Sequence, residues 1–421
     1  MLRKLILFIL LIPTLLLAQQ RLLATITVYA GQTDRNNTPV SVALDHLSVP
    51  VDMYRLRLVE HTAAGDAPVA CQIEVGTIPR LWWILDGSTP AGVERGYSLV
   101  FGDSLARSAP AMTCVTDSLD LTLYQQGKPV LSYRHAILPA PEGVSPLYER
   151  SGFIHPLYTP DGDTLTRVQP PDHYHHVGIW NPWTHTLIDG RQVDFWNLGD
   201  GLGTVRYAGT LSTTEGPVYT GFRVHQEHVD LGAPGGPRTA INEVWDVRAW
   251  NVSTDNNVWL WELTTELSDA LDSPIILEAY RYGGGLGYRA LEYWNKDNCT
   301  VLTSEGADRA TADGSRARWC NVGGEMPGGG QAGILFMSHV SNREHPEPMR
   351  VWPLDANSGR GDMYFEFCPI RHHPWSLDPE STRVLQYRML VYEGGLTPEK
   401  AELWWQDFAN PPQVKINWNH E

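Results

Sequence analysis

Alternation dominates this chain. Apolar residues recur at every second position, or in short β-branched runs, through ATITVYA, SVALDHLSV, YRLRLVE, CQIEV and RLWWILDG, and Gly, Pro, Asn or Asp separates the runs. Side chains two apart share one face of a strand, so this spacing favours β-structure and leaves a helix without a continuous apolar stripe. Before residue 390 no helical stripe exceeds about two turns. With 38 Gly and 30 Pro the chain also carries the turn chemistry that many short strands need. The expectation is an all-β protein. A short helix fits only at 397–409, where PEKAELWWQDF places Leu403 and Phe408 on one face.

The first eighteen residues, MLRKLILFILLIPTLLLA, stand apart. Arg3 and Lys4 precede an apolar run from Leu5 to Leu17, and Ala18 supplies a small residue for cleavage. This predicts a signal peptide and a periplasmic or secreted protein. A retained anchor is the competing reading, but the run is short of the roughly 20 residues a bilayer needs. Losing Arg3 and Lys4 lowers the formal charge of −16 by two more units. An acidic exported chain is a poor partner for nucleic acid or, once the leader is removed, for a membrane.

About 400 residues remain, more than one ordinary core holds, so two units are expected. One is a small β-sandwich over 22–117, and the other a large β-sandwich domain over 120–415. TLYQQGKPVLSYRH reads as a hairpin turning at 126–128, and GFIHPLYTPDGDTLTR as another with Asp161-Gly162 at its turn. Longer alternating strands follow at 217–230, 241–250 and 257–266. Five cysteines, Cys71, Cys114, Cys299, Cys320 and Cys368, allow at most two bridges. Cys299 and Cys320 flank a hairpin-like segment and are the expected pair. No CxxC spacing supports a zinc knuckle.

Residues 170–207, PPDHYHHVGIWNPWTHTLIDGRQVDFWNLGDGLGTVRY, concentrate the chemistry of the chain. Imidazoles donate, accept or bind metals near neutral pH, carboxylates accept, and indoles offer flat apolar faces. That mixture suits a sugar ring, with its apolar face and rim of hydroxyls. If DHYHH is a strand, His173 and His175 share one face and Asp172, Tyr174 and His176 the other. His173 and His175 would then form the metal pair, if a divalent metal is bound, with His155, Asp194, His372 or His373 as third ligand. The alternative needs only a histidine and a carboxylate beside a bound sugar. His175 or His176 is the expected general acid/base, and Asp194 or Glu278 its partner, with Asp172 and Glu243 also candidates. Trp183 follows Asn181-Pro182 and is expected to face the ligand from a loop. Arg206 suits an acidic group on the sugar, since a guanidinium grips a carboxylate bidentately. His155, His173, Tyr282 and the distant His372-His373-Pro374-Trp375 complete the expected substrate-binding set. GGGLG, flanked by Arg281 and Arg289, lacks the GxGxxG spacing of a dinucleotide loop. GxSxG, HExxH and P-loop motifs are absent.

GFIHPLYTPDGDTL, DHYHHVGIWNPWTH and VDFWNLGDGLGTV, followed by EAYRYGGGLGYRA, RWCNVGG, GILFMSHVSNREHPEPMRVWP and QYRMLVYEGG, resemble the PmoA-like family. Its exported bacterial members carry the label "methane oxygenase PmoA", and the resemblance covers roughly 120–396. A methane monooxygenase subunit spans the membrane several times, which this chain does not, so the label reads as a mistaken transfer; a metal-dependent oxidoreductase is what it would imply. The resemblance further implies a super-sandwich-like fold akin to sugar mutarotases and polysaccharide lyases. It would give the DHYHH histidines and a later carboxylate the roles of acid and base. Together these readings predict a glycoside hydrolase or polysaccharide lyase acting on an oligo- or polysaccharide, with a non-catalytic carbohydrate-binding protein as the alternative.

Overall fold

The computed structural model describes residues 21–47, 55–102, 110–252 and 257–419. The expected signal peptide at 1–18 lies outside the described residues. The protein is all-β with antiparallel sheets in sandwich arrangement and a single α-helix among the described residues, Pro398–Ala409. No helix of the described residues is long and apolar enough to cross a membrane.

Two small sheets form the first sandwich. A five-stranded sheet runs in the order Gln413–Trp418, Arg21–Tyr29, Glu94–Phe101, Leu56–Thr62, Gly65–Val69, and a three-stranded sheet holds Arg35–Ala43, Arg80–Thr89 and Cys71–Glu74. Inward residues at every second position, such as Ala24, Ile26, Val28, Leu81, Trp83 and Leu85, fill the core between them. One edge strand comes from the opposite end of the chain, Ala24–Tyr29 pairing with Gln413–Trp418. Met112–Thr116, by contrast, joins the sheet of the larger sandwich through its pairing with Asp120–Gln125.

The larger sandwich packs an eight-stranded sheet against a nine-stranded one. The eight-stranded sheet contains the long strands Gly203–Thr214, Tyr219–Asp230, Arg238–Trp250, Val258–Asp269 and Thr382–Glu393. Alternation splits its side chains between two cores. Met389 and Val391 face the nine-stranded sheet, whereas Leu390 faces the helix and meets Ala401, Trp404, Trp405 and Phe408. Leu403 is exposed, so of the expected pair only Phe408 lies on the buried helix face, together with Trp404 and Trp405. The hairpin at 126–128 forms as expected. Gln126 and Gly127 both adopt positive φ, 51° and 81°, which suits a two-residue turn between twisted strands. The expected Cys299–Cys320 bridge is not made. Register sets Cys299 opposite Gly324 and Cys320 opposite Thr303, and both thiols are free and buried.

The nine-stranded sheet positions the site. Ile154, Ile179, Tyr288, Phe365 and Phe367 point into the main core. Their neighbours therefore project from the opposite face, and register aligns them: Trp180 opposite Gly287, Gly287 opposite Glu366, Arg289 opposite Tyr364, and Arg350 opposite Glu366. On that face Phe153, Val177, Trp180, Trp196, Trp352 and Tyr364 build a second, aromatic layer.

Candidate functional site

The histidine stretch lies over this aromatic layer, and it is not a strand. Val168 bridges Val177, Gln169 N–H donates to His176 O (2.7 Å) and Gly178 N–H to Arg167 O (2.9 Å), so 167–178 is a narrow loop with the histidines at its tip. Two turns follow each other there, His173 N–H to Pro170 O and His176 N–H to His173 O. Gly178 closes the loop at φ 69°, where a side chain would strike the carbonyl of Ile154. The expected alternation of DHYHH over two faces is thus corrected. Turn geometry gathers all three imidazoles, with ring centroids 5.4 Å apart for His173–His175, 4.7 Å for His173–His176 and 4.8 Å for His175–His176.

Their environments differ. His176 is 1% exposed and stacks on Trp196, with Trp180, Trp352 and Tyr364 around it. Burial holds its pKa well below the ordinary histidine value. His175 packs on the edge of Trp196, and burial, aided by His173, lowers it to about 4. His173 leans on Trp352 at 4.8 Å and keeps 36% of its side chain exposed. Its Nδ1 meets Asp172 Oδ2 at 2.8 Å, and the same oxygen accepts from Arg289 Nη2 at 2.8 Å. Arg289 Nη2 also donates to Asp362 Oδ2 at 2.6 Å. Burial works against the charge on Asp172, but the His173 hydrogen bond and the Arg289 guanidinium outweigh it and hold the carboxyl well below the usual range. Arg289 itself is buried against the face of Trp352, 4.7 Å from the ring centroid.

Tyr282 borders the cluster. Its ring lies 5.3 Å from Trp196, and its hydroxyl accepts from Trp352 Nε1 (3.2 Å) and Arg350 Nη2 (2.9 Å). Beneath it Tyr364 donates to Glu366 Oε2 at 2.6 Å, and Gly283 N–H donates to Oε1 at 2.6 Å. Burial raises Glu366 to about 8. Several polar atoms of this layer are buried without a partner among the described residues: His176 Nδ1, the Nε1 atoms of Trp180 and Trp196, and Arg289 Nη1.

The other expected residues make no contact with the imidazoles among the described residues, although Asp194 is near enough for its charge to act on His175. Trp183 does not face a ligand. It is fully buried in the main core, where Gly284 leaves room for its ring. Arg206 sits on a sheet edge strand and is paired at 2.7 Å with Glu227, so it is no clamp for the histidine site. Asp194 is saturated: Oδ1 accepts from the N–H groups of Trp196 and Asn197, and Oδ2 from Thr184 and the Asn197 amide. It shapes the turn that presents Trp196 rather than offering a free base. Glu278 is half-buried and accepts from Gln192. Glu243 lies in the main core with His228 (2.7 Å), Asn181, Trp245 and Thr265. His155 Nδ1 bonds Thr166 at 2.9 Å, and burial lowers its pKa to about 4. His373 meets Glu344 at 3.1 Å, and His372 is exposed beside it.

Among the described residues no three His, Cys, Asp or Glu side chains are arranged to hold a metal. His175 meets His173 and His176 edge-on, and His173 Nδ1 is committed to Asp172, so among the described residues the His173–His175 pair gains no third ligand. Sequence reasoning left Arg289 without a role and missed Asp362, Trp352, Tyr364 and Glu366. The available signal was alternation in LGYR and YFEF, which sets Arg289, Tyr364 and Glu366 opposite the core-facing positions. A groove of about 610 Å³ also lies elsewhere, between the first sandwich and the helix, lined by Arg80, Trp82, His339 and Phe408.

These features define an all-β sandwich protein with an imidazole–aromatic site on the outer face of one sheet. Residues 120–406 match a family model described as "Family of unknown function (DUF6807)", and the chain belongs to that family. This match corrects the PmoA-like assignment, because DUF6807 is the family found across the motifs that suggested it. No curated protein matches the chain. Among solved structures, the alpha-galactosidase from Lactobacillus brevis aligns at 8% identity and a TM-score of 0.25, over 72% of this chain and 42% of its own. The chain thus spans less than half of that protein's length, and a likeness this faint decides nothing about activity.

Proposed function

We propose that the protein acts on carbohydrate by acid–base chemistry, with His173 as the group that carries the proton. One observation supports this above others: the relay Arg289–Asp172–His173 ends on a ring that is 36% exposed and whose Nε2 has no partner among the described residues. A carboxylate on Nδ1 fixes the tautomer, leaves the Nε2 lone pair outward and stabilises the imidazolium once a proton arrives. His173 can then take a proton from a substrate hydroxyl or C–H and return it to a leaving oxygen. His175 and His176, kept neutral by burial, add no competing charge beside it. Tyr282, half-buried over Trp196 and Trp352, supplies the apolar ring face and hydroxyl that suit a pyranose.

The arrangement favours a histidine-centred hydrolase or lyase over a two-carboxylate glycosidase. The latter needs two carboxyls flanking the bond. Here Asp172 is tied to Arg289, Asp194 is saturated and Glu278 lies elsewhere. An exported, periplasmic or secreted setting belongs to the same proposal. Turnover of a panel of neutral and acidic oligosaccharides is the test. Replacing His173 by Ala is expected to lower kcat by about 10²–10⁴, and Asp172→Asn by less while moving the pH profile. Equal turnover by wild type and His173→Ala, or no turnover of any sugar, refutes the proposal.

A further inference from the structure

We propose that a strip of guanidinium groups running from Arg281 through Arg350 and Arg371 to Arg316 is a subsite for the anionic groups, carboxylate or sulfate, of a glycan chain. This deepens the preceding reading, since it takes the ligand of the His173 site to be a carbohydrate and specifies its charge. A positive strip is not the default surface of a chain with a formal charge of −16. Arg281 is exposed, its guanidinium 5.3 Å from the Tyr282 ring, and among the described residues it has no carboxylate partner. Arg350 and Arg371 share one carboxylate, Asp313, at 2.6 and 3.4 Å. Arg371 also donates to the carbonyl of Arg281 at 3.0 Å, which holds the two segments side by side. Arg316 is paired with Glu344, the same carboxylate that His373 approaches. Four guanidiniums therefore face two carboxylates, and the exposed His372 follows Arg371 directly in the chain.

Tyr282 joins this strip to the imidazoles. Arg350 lies over its ring at 4.8 Å, its hydroxyl is 3.2 Å from Trp352 Nε1, and the Trp352 ring is 4.8 Å from His173. A chain with its reacting ring at His173 reaches the guanidiniums with its neighbouring rings. The planar fork of Arg matches carboxylate and sulfate oxygens bidentately. The placement also gives His372 and His373 a setting: they flank the strip and do not join the histidine cluster.

Titration calorimetry on the full chain carrying His173→Ala, where turnover cannot interfere, tests the subsite with trigalacturonate, a sulfated galactan trisaccharide and uncharged galactotriose. At least one acidic ligand is expected to bind about tenfold or more tightly than the neutral one. Which acidic ligand does so tells carboxylate from sulfate. The preference should shrink with added salt and vanish in Arg281→Glu at unchanged Tm, because Arg281 is exposed and donates no hydrogen bond among the described residues. Equal affinity for neutral and acidic sugars, no binding of any, or a preference that survives Arg281→Glu overturns the subsite. Since binding is read without His173, failure of the proton-transfer role leaves this result standing, and the reverse also holds.

Discussion

Arg289 has the most at stake of any single side chain. It is 1% exposed and bridges Asp172 and Asp362, so its charge is matched inside the fold. Removing one member of a buried ionic group leaves the others desolvated and unpaired, at a cost of about 3–5 kcal/mol. Arg289→Met is expected to lose stability of that order in urea unfolding. It should also loosen His173, because Asp172 then lacks its anchor. Arg289→Lys restores charge without the fork and should recover only part. Acid adds a second signature. The Asp172 carboxyl is held below its unfolded value, so its contribution is present above about pH 3.9 and fades as pH falls through the folded value. This residue shows where reading the sequence stops. Arg289 stands out beside the glycine cluster, but its partners lie 117 and 73 positions away, and nothing local specifies that pairing.

At the scale of elements, strands were legible and the turns between them less so. The long strands Tyr219–Asp230, Arg238–Trp250 and Val258–Asp269 follow their alternating pattern because one face of each meets the main core. DHYHH also alternates, but Pro170 and Pro171 precede it, and its backbone groups bond within turns rather than to a neighbouring strand. The crowding of histidines in this stretch was therefore readable, while the convergence of all three imidazoles was not. Asn181-Pro182 correctly signalled a loop at Trp183, yet that loop folds inward. The reason lies in Gly283–Gly284–Gly285, whose positive φ values carry the backbone close past Trp183 and Phe367. A methyl group on Gly284 would collide with the Trp183 ring at φ 72°. Gly284→Ala should combine backbone strain of about 1–3 kcal/mol with an overpacking cost of about 1–3 kcal/mol. In a double-mutant cycle with Trp183→Leu, the steric part should be relieved and the strain should remain. Additive losses would mean that the ring is not what excludes the side chain.

The whole molecule joins its two sandwiches at both ends of the chain. The helix anchors to the first sandwich through Asp407, which accepts from Arg35 (2.9 Å) and Thr38 (2.8 Å), and the strand after it completes the five-stranded sheet. Stability measured on such a structure sums protonation changes from both faces of the large sandwich, and its pH dependence can be worked out in sign. Burial lowers His155 and His175 to about 4 and holds His176 well below 6.5, so below the ordinary 6.5 the unfolded chain binds more protons and stability falls with acid. Burial raises Glu347 to about 7 and Glu366 to about 8 from 4.5, so between those limits the folded chain binds more protons and stability falls as pH rises. The two sets oppose each other up to about pH 6.5, and beyond it only the carboxyls of this group still act. Tm from calorimetry is expected to decline from about pH 6.5 to about 8. Glu366→Gln, which keeps an acceptor for Gly283 N–H and removes the titrating proton, should flatten most of that decline because Glu347 has already discharged near 7. An equally steep alkaline limb in Glu366→Gln would show that the carboxyl beneath Tyr282 does not hold a proton at neutral pH.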